Sequence, residues 1–254
     1  MSSPGGPDLA TIAGWIRDAR HVMALTGAGI STDSGIPDFR GPQGVWTRNP
    51  GAERTSNIRE YVASAEVRKA AWRIRLASPA WTARPNAGHY ALVILEIRGH
   101  LHTLVTQNID ELHQRAGNDP ATVIELHGTM RKVVCLSCGA RGPMEPVLER
   151  VRAGEDDPAC RSCGGILKSA TISFGQDLVV DDLERARRAA AEGDLLLAVG
   201  STLTVSPACW LVPIAYKADA RVVIVNADPT PYDDLADAVL RGPISQVLPK
   251  IVGV

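Results

Sequence analysis

The fold of this chain is decided by the stretch Val22-Met23-Ala24-Leu25-Thr26-Gly27-Ala28-Gly29-Ile30-Ser31. In it, a short and almost uniformly apolar run leads directly into a loop with two glycines. The run predicts a strand, residues 21–26, of the kind that is covered on both faces in a parallel sheet. Glycine lets backbone approach a ligand closely, and the N-terminus of a following helix offers N–H groups and a positive dipole end to an anion. The stretch therefore predicts a nucleotide site, although a plain strand-to-helix turn would have the same glycines.

The dinucleotide fingerprint Gly-x-Gly-x-x-Gly is incomplete here. Thr32 stands where its third glycine belongs. No Asp or Glu lies near position 47, where an acid that binds the ribose is expected about 20 residues further on. Both departures argue against a dehydrogenase that transfers hydride.

Similar apolar runs recur along the chain. They predict further strands at residues 102–106, 171–174, 194–199 and 221–225. Helical patterns lie between them, at residues 87–97 after Asn86 and at residues 181–192 after a capping Asp. This alternation is typical of an α/β domain with a doubly wound, Rossmann-like parallel sheet.

Two stretches interrupt the alternation. Residues 41–85 predict a loop followed by a helical insertion, and residues 131–170 carry paired cysteines among Gly and Pro. We therefore expect a Rossmann-like domain made of residues 1–40, 86–130 and 171–254. The insertion and the cysteine module would together form a smaller domain.

Composition excludes several classes of protein. The 254 residues are 45% hydrophobic, and 27 Lys and Arg balance 28 Asp and Glu, for a net charge of −1. Such a chain is globular, and no overall field draws it to nucleic acid or an anionic membrane. No apolar run reaches the roughly 18 residues of a spanning helix, and residues 1–10 lack the pattern of a signal peptide. We expect a cytoplasmic monomer that binds neither nucleic acid nor membranes.

Four of the five cysteines form two pairs, Cys135-x-x-Cys138 and Cys160-x-x-Cys163. Each pair is a knuckle that turns two sulfurs toward one ion, and two knuckles make the closed four-thiolate set that Zn²⁺ accepts. Such a site is structural, because it keeps no open position. The alternatives are two local disulfides, which a reducing compartment disfavours, or unliganded thiols. Cys209 stands alone in an apolar stretch and predicts a buried, inert thiol.

Further ordered motifs carry a family resemblance. After the glycine loop come Gly35-Ile36-Pro37-Asp38-Phe39-Arg40-Gly41, Thr106-Gln107-Asn108-Ile109-Asp110-Glu111-Leu112-His113, Glu125-Leu126-His127-Gly128, Phe174-Gly175, Gly200-Ser201-Thr202-Leu203 and Val225-Asn226. Together these motifs resemble the sirtuins, the NAD-dependent protein lysine deacylases, over nearly the whole chain. Taken alone, Asn108 with Asp110 would suit a helix cap, and residues 200–202 and 226–228 would be ordinary turns.

The resemblance implies NAD as a co-substrate and assigns residues to it. His127, Asn108 and Asp110 would be catalytic, with His127 as the general base. The cofactor contacts would be Gly27, Ala28, Gly29, Ser31, Ile36, Asp38, Phe39, Arg40, Gln107, Asn108, Ile109, Asp110, Gly200, Ser201, Thr202, Asn226, Ala227, Asp228 and Ile244. Arg40 would hold phosphate, and Phe39 would exclude water.

The resemblance also implies an order of steps. The acyl oxygen of an acylated lysine attacks C1′ of the nicotinamide ribose, and nicotinamide leaves. His127 then helps a ribose hydroxyl attack the resulting imidate. Free lysine, nicotinamide and O-acyl-ADP-ribose are the products. Asp38 and Asp110 would stabilise the positive charge that develops on the ribose.

Two departures from the family bear on the substrate. Gln176 replaces the Glu of a common Phe-Gly-Glu segment, which would still pair with an extended peptide through its backbone. The chain lacks the Tyr-x-x-Arg pair of sirtuins that prefer succinyl or malonyl lysine, although Trp72 and Arg75 share its spacing. We therefore expect an acetyl preference.

Other functions stay open at this point. The alternatives are removal of succinyl or longer acyl groups, ADP-ribosyl transfer to protein, and a sensor of NAD or ADP-ribose without activity. DNA binding through the cysteine module is disfavoured, because Arg141, Arg150 and Arg152 are offset by nearby acids.

Overall fold

The computed structural model describes residues 6–39, 41, 44–48 and 50–254. The strands are β1 (Val22–Thr26), β2 (Leu101–Thr106), β3 (Val123–Glu125), β4 (Gly128–Cys135), β5 (Arg141–Pro143), β6 (Leu167–Thr171), β7 (Leu195–Val199), β8 (Arg221–Val225) and β9 (Ala238–Leu240). The α-helices are α1 (Leu9–Asp18), α2 (Val45–Arg48), α3 (Ile58–Ala63), α4 (Ala65–Leu76), α5 (Ala87–Ile97), α6 (Leu112–Ala116), α7 (Glu145–Arg152), α8 (Val180–Glu192), α9 (Leu211–Lys217) and α10 (Ile244–Val252). Short 3₁₀ helices span Ala28–Ser34, Pro50–Ser56, Pro79–Trp81, Ala208–Trp210 and Asp233–Leu235.

The main sheet confirms the doubly wound prediction. Its strands lie in the order β3-β2-β1-β7-β8-β9, and every pairing is parallel. The chain runs outward from β1 through β2 to β3, then returns to the other side of β1 and continues from β7 to β9. The order thus reverses between β1 and β7, and ligands of such sheets bind beyond the carboxyl ends of the strands at this switch point.

The apolar runs explain why these strands are central. All residues of β1 and β7 are buried. One apolar core packs α1, α5 and α10 against one face of the sheet, and a second packs α8 and α9 against the other. A run that must contact both cores cannot alternate with polar residues, which is what made β1, β7 and β8 visible in the sequence.

Helix α5 has the predicted bounds. The Asn86 side chain accepts a hydrogen bond from the N–H of Gly88, and the Asn86 N–H donates to the His89 ring, which completes a capping box. Helix α8 was also predicted, but its N-cap is Val179, which makes no capping side-chain bond. The predicted capping Asp is therefore wrong. Asp181 and Asp182 lie inside the first turn, where their negative charges interact favourably with the helix dipole.

A second sheet is small and antiparallel, with β4 between β5 and β6. It corrects one predicted strand. Residues 171–174 do not enter the parallel sheet: Thr171 ends β6, and Phe174 forms an isolated bridge to Asn57. The run alternates polar and apolar residues, which suits an edge segment with one exposed face rather than a strand buried on both. Instead β3 and β9, three residues each and hard to see in sequence, are the outer strands of the main sheet.

The described helices include none with the length and apolar character needed to cross a lipid bilayer.

Candidate active site

A large cavity lies at the switch point of the main sheet. Its volume is about 1480 Å³, which exceeds the usual range for a drug-sized ligand and has room for a dinucleotide together with part of a peptide. All the described residues that the sequence predicted for catalysis or cofactor contact line it: Gly27, Ala28, Gly29, Ser31, Ile36, Asp38, Phe39, Gln107, Asn108, Ile109, Asp110, His127, Gly200, Ser201, Thr202, Asn226, Ala227, Asp228 and Ile244. Arg40 lies outside the described residues. The individual roles of these residues stay predictions.

Gly27 and Gly29 have to be glycines because the loop after β1 contacts the loop after β7. A Cβ atom on Gly27 would lie 2.7 Å from the carbonyl oxygen of Gly200. A Cβ atom on Gly29 would lie 2.8 Å from the Cα atom of Gly200. Gly200 itself has φ of 64°, and the Gly29 N–H donates to its carbonyl oxygen at 2.8 Å. The loops after β1 and β7 therefore touch at the switch point and leave the cavity between them open to a ligand.

The helix predicted after the first strand is a 3₁₀ helix, Ala28–Ser34, which begins directly after Gly27. Beyond it, Asp38 accepts a hydrogen bond from the N–H of Gly41 at 2.8 Å and so closes a turn. A Cβ atom on Gly41 would collide with the Asp38 carboxylate. Phe39 is 39% exposed between them, so its ring borders the cavity.

Asn108 and Asp110 are tied together through Ser31. The Asn108 amide donates to the carbonyl oxygen of Gly27 at 3.1 Å and to Ser31 Oγ at 3.2 Å. Ser31 in turn donates to Asp110 at 2.8 Å, and the Leu112 N–H donates to the other carboxylate oxygen at 2.9 Å. Because both amide hydrogens of Asn108 are engaged, its Oδ1 is the atom left to accept from a ligand hydroxyl. All three side chains are buried.

Burial raises the pKa of Asp110, because a charged carboxylate is poorly solvated in this position. Its hydrogen bonds from Leu112 and Ser31 act in the opposite direction, since they stabilise the charged form. The carboxylate is therefore held in a low-dielectric site with fixed donors. In such a site a positive charge that forms on a ligand is stabilised more strongly than it would be in water.

His89 belongs to the same network as Ser31, Asn108 and Asp110. Its Nδ1 accepts from the Asn86 N–H at 3.3 Å, so the proton of the neutral ring is on Nε2, which lies 3.5 Å from Ser31 Oγ. The ring of His113 lies 5.0 Å away, and its Nε2 contacts Thr26 Oγ1 at 2.9 Å. The clue in the sequence was the position of His89 at the third residue of a helix capped by Asn86.

His127 has the geometry of a general base. It follows Leu126 just after β3, and its Nδ1 lies 3.0 Å from the carbonyl oxygen of Gln107. A carbonyl oxygen only accepts, so Nδ1 carries the proton and Nε2 has the free lone pair. Burial lowers the pKa of His127 below its ordinary value of 6.5, so the ring is neutral at pH 7.

The polar side chains on the other half of the cavity hold each other in place. Gln107 donates to Ser201 Oγ at 2.9 Å, and Asn226 donates to the carbonyl oxygen of Asp228 at 2.8 Å. Arg241 bonds the carbonyl oxygens of both Asn226 and Asp228. The donor set is made of amides, hydroxyls and backbone groups, which suits the neutral adenosine part of NAD.

The segment around Phe174 pairs with the segment that precedes α3. The Phe174 N–H donates to Ser56, and its carbonyl oxygen accepts from Ile58. Gln176 closes a turn with Ser173 through both its N–H and its side-chain oxygen, so glutamine preserves the local structure where the family often has Glu. Among the described residues none pairs with the backbone of Gly175, which lines the cavity and is available to an extended peptide.

The four paired cysteines lie together at the tip of the small sheet. Their sulfur atoms are all within 4.8 Å of one another, at 3.5 Å for Cys135–Cys163 and 3.9 Å for Cys138–Cys160. A tetrahedral Zn²⁺ site with bonds of about 2.3 Å has sulfurs roughly 3.8 Å apart, whereas a disulfide has about 2.05 Å. The four sulfur atoms therefore fit a Zn²⁺ site. None of these four cysteines forms a disulfide, so their thiols are available to a metal ion. Cys209 is buried, as predicted.

The two knuckles have the same backbone geometry. In the first, the Cys135 N–H donates to Ala140 and its carbonyl oxygen accepts from Gly139. In the second, Cys160 does the same with Gly165 and Gly164. Backbone N–H groups, of Cys138 above all, lower the pKa of the Cys135 thiol to about 6, which favours the thiolate that a metal binds.

Two buried histidines, His89 and His113, are expected to make the folded protein less stable as the pH falls. Burial lowers the pKa of His89 from 6.5 to about 4 and that of His113 well below 6.5. Between pH 6.5 and 4 the unfolded chain binds a proton that the folded His89 does not, so stability falls as the pH falls. The lowered pKa of His89 corresponds to a loss of about 3 kcal/mol in the free energy of unfolding.

Urea unfolding at several values between pH 7 and pH 4 measures this loss. We expect His89→Gln to flatten the pH dependence of the free energy of unfolding relative to the wild type. The exposed His102, replaced by Gln, is the matched control and should leave the slope unchanged. Parallel curves for the wild type and His89→Gln would show that His89 is not buried neutral.

Residues 27–207 match the profile of the Sir2 family. The chain is 50% identical over 231 residues to NAD-dependent protein deacetylase 2 of Streptomyces coelicolor, covering 91% of this chain and 96% of that protein. It is 41% identical over 247 residues to NAD-dependent protein deacetylase 1 of Pyrobaculum aerophilum, covering 96% and 94%.

Solved structures are similar over the same length. A Sir2 structure with a deacetylated p53 peptide and 3′-O-acetyl-ADP-ribose has a TM-score of 0.90 at 32% identity, covering 97% of this chain and 98% of that one. A complex of Sir2 with a p53 peptide and NAD⁺ has a TM-score of 0.86 at 32% identity, with the same coverage.

Proposed function

The chain belongs to the Sir2 family and is an NAD-dependent protein deacetylase, and from this premise we propose how its residues divide the reaction. The observation that supports the proposal is the convergence of His127, Asn108 and Asp110 on one cavity at the switch point of the sheet. NAD and an acetylated peptide are substrates, and the four cysteines hold a structural Zn²⁺. The products are free lysine, nicotinamide and O-acetyl-ADP-ribose, so the enzyme class is acyl transferase.

Asp110 and Asn108 act on the nicotinamide ribose. Breaking the bond to nicotinamide places positive charge on the sugar, and the buried Asp110 carboxylate stabilises that charge because Ser31 and Leu112 already fix its position. Asn108 Oδ1 accepts from a ribose hydroxyl and orients the ring. Asp38 and Ile36 complete the nicotinamide end, and Phe39 excludes water that would hydrolyse NAD without transfer.

His127 acts in the second stage. Its neutral Nε2 takes the proton of a ribose hydroxyl as that oxygen attacks the imidate formed with the peptide. The bond from Nδ1 to Gln107 holds the ring in the required tautomer. The remaining predicted contacts bind the rest of NAD: Gly27, Ala28 and Gly29 near the phosphates, and the residues after β7 and β8 with Ile244 at the adenosine. Arg40, which lies outside the described residues, remains a predicted phosphate contact.

The peptide lies along Gly175, where it adds a strand beside Phe174. We also predict a cytoplasmic monomer without affinity for nucleic acid or membranes. The division into a large domain of residues 1–40, 86–130 and 171–254 and a small one of residues 41–85 and 131–170 remains part of the proposal.

Incubation with NAD and an acetyl-lysine peptide tests the activity. We expect nicotinamide release that requires both substrates, with the acetyl group recovered on ADP-ribose. NAD labelled in the adenine separates this reaction from ADP-ribosyl transfer, in which the label would stay on the peptide. Nicotinamide release that does not depend on the acetyl group of the peptide would contradict the proposal, as would the absence of nicotinamide release.

A further inference from the structure

Asp110 lies between two residues that are each hydrogen-bonded to β4. On one side, the carbonyl oxygen of Ile109 accepts from the N–H of Met130 at 2.9 Å. On the other side, Glu111 Oε1 accepts from the hydroxyl of Thr129 at 2.6 Å. These two contacts form the β4 clamp, which joins the loop after β2 to the central strand of the small sheet.

Strand β4 can reach this loop because its own pairing is irregular here. The register with β6 shifts between Gly128 and Val133, so residues 129–132 lie opposite Ala170 alone. A bulge of this kind turns a side chain away from the sheet toward a new partner. The Thr129 side chain is buried, and its oxygen accepts from the N–H of Arg131 at 3.1 Å. The hydroxyl therefore has a fixed orientation, with its single proton directed to Glu111.

Glu111 has a backbone conformation that costs free energy. Its φ of 59° and ψ of 22° place it in the left-handed region, which residues other than glycine rarely adopt. Leu203 and Asp219 are the other described residues that share a positive φ without being glycine. Strain of this kind persists only where the surrounding contacts impose it, and it is concentrated at functional sites. The hydrogen bond from Thr129 is such a contact.

The conformation of Glu111 brings the next N–H of the chain against the Asp110 carboxylate. The Leu112 N–H donates to Asp110 Oδ1, while Ser31 donates to Oδ2. With an extended backbone at Glu111, the Leu112 N–H would point away from the carboxylate, since φ and ψ at the intervening residue set its direction. Asp110 would then lose one of the two donors that fix its position.

The side chains of the clamp lie behind the cavity wall. Ile109, Asp110 and Met130 line the cavity, whereas Glu111 and Thr129 do not. Glu111 and Thr129 therefore touch neither NAD nor the peptide. Their effect on the reaction passes through the residue between Ile109 and Glu111, which is Asp110.

We propose that Glu111, held by Thr129 of β4, is a positioning residue for Asp110 and thereby sets the rate at which the bond to nicotinamide breaks. This inference rests on the proposed function, in which Asp110 stabilises the positive charge on the ribose. It also gives the small sheet a part in the first stage of the reaction, because β4 reaches Asp110 as well as following directly after His127.

Exchange of labelled nicotinamide into NAD, with an acetylated peptide present, measures the first stage alone. Glu111→Ala removes the acceptor and should lower the exchange rate by about 10- to 100-fold, the cost of misplacing a group that acts on the reacting atoms. Glu111→Gln keeps an oxygen that accepts from Thr129 and should retain most of the rate. The KM for NAD should change little in either variant, because the contacts at the adenosine are intact.

Glu111→Gly separates the side chain from the backbone. Glycine adopts a φ of 59° without steric cost, so slow exchange in this variant cannot be ascribed to strain. We expect it to be as slow as Glu111→Ala. Asp219→Ala is the matched control, since Asp219 is exposed, has a φ of 61° and does not line the cavity. It should exchange nicotinamide at the wild-type rate.

A double-mutant cycle identifies the partner of Glu111. Thr129→Val removes the hydroxyl donor and keeps a β-branched side chain on β4. The double variant Glu111→Ala, Thr129→Val should be no slower than the slower single variant, because both changes remove the same contact. Losses that multiply in the double variant would overturn the proposal, as would a wild-type rate in Glu111→Gly.

The titration of Asp110 tests the clamp without turnover. The bond from Leu112 stabilises the charged carboxylate, so its loss in Glu111→Ala and Thr129→Val should raise the pKa of Asp110, and Glu111→Gln should not. Carbon-13 NMR of the carboxyl groups, assigned with Asp110→Asn, measures this pKa. If the wild type exchanged no nicotinamide, the proposed function would fail, while a rise of this pattern would still support the clamp. An Asp110 pKa unchanged in every variant would overturn it.

Discussion

Replacing His127 by alanine is expected to lower kcat for deacetylation by about 10²- to 10⁴-fold, the range that a positioned general base contributes. The Nδ1–H of His127 is held by Gln107, and the lowered pKa keeps Nε2 unprotonated at pH 7, so the ring is a base with one fixed orientation. Alanine removes the only group to which we assign the proton of the ribose hydroxyl. Steady-state kinetics with an acetyl-lysine peptide measures the loss.

The same variant separates the two stages of the reaction. Nicotinamide leaves before the base is needed, so exchange of labelled nicotinamide into NAD should persist in His127→Ala when the acetylated peptide is present. NAD affinity should also be retained, because Asn108, Asp110 and the glycine loops are intact. Full deacetylation by the variant, or loss of NAD binding as large as the loss of kcat, would contradict the assignment. His102→Ala, at an exposed position on β2, is the control and should retain activity.

The pH dependence of the wild-type rate provides a second test of the role of His127. Because burial lowers its pKa, the neutral base is present at pH 7 and is lost only as the pH falls below 6.5. The rate of the second stage should therefore fall on the acid side and be flat around neutrality.

The sequence predicts those parts of this molecule that depend on local patterns. Uniformly apolar strands identify β1, β7 and β8, the capping Asn86 identifies the start of α5, and cysteine spacing identifies the metal cluster. These features need few residues from elsewhere in the chain. The strand expected at residues 171–174 was wrong because its edge position is set by the partner segment at Asn57, far away in sequence.

The parts of the site that sequence could not give depend on contacts between distant segments. Gly29 and Gly200 are required because two loops touch, which no spacing rule includes. His89 reaches Ser31 across 58 positions, and Glu111 reaches Thr129 across 18. Glu111 was part of a visible motif, but Thr129 had nothing to mark it, because its contact depends on the irregular pairing of β4.

Loss of the metal is expected to unfold the small sheet, because little else in the structure stabilises this sheet. Its apolar core consists of Trp72, Val133, Cys135, Met144, Val147, Leu148, Cys160 and Leu167, and two of these are metal ligands. A core of this size does not offset the conformational entropy of residues 128–171. Zinc binding in small metal-held modules contributes roughly 10–16 kcal/mol, more than the whole stability of many domains.

Cys160→Ser or removal of the metal by a chelator should therefore unfold β4, β5 and β6 while the parallel sheet stays folded. Amide exchange should become fast in residues 128–171 and stay slow in β1 and β7, and elemental analysis should fall from one zinc per chain to none. Activity should be lost at the same time, although no cysteine touches a substrate. The reason is that β4 begins at Gly128, directly after His127, and the N–H of Ile172 bonds the His127 carbonyl oxygen.

Cys209→Ala removes a buried thiol outside the cluster and should keep both zinc and activity. Metal-free protein with slow exchange in residues 128–171 would show that the sheet folds without zinc and that the cysteines serve another purpose. If the sheet unfolded but deacetylation continued, the cavity wall from Gly128 to Lys168 would be dispensable. His127 would then be positioned by Gln107 alone, through the one hydrogen bond that the parallel sheet supplies.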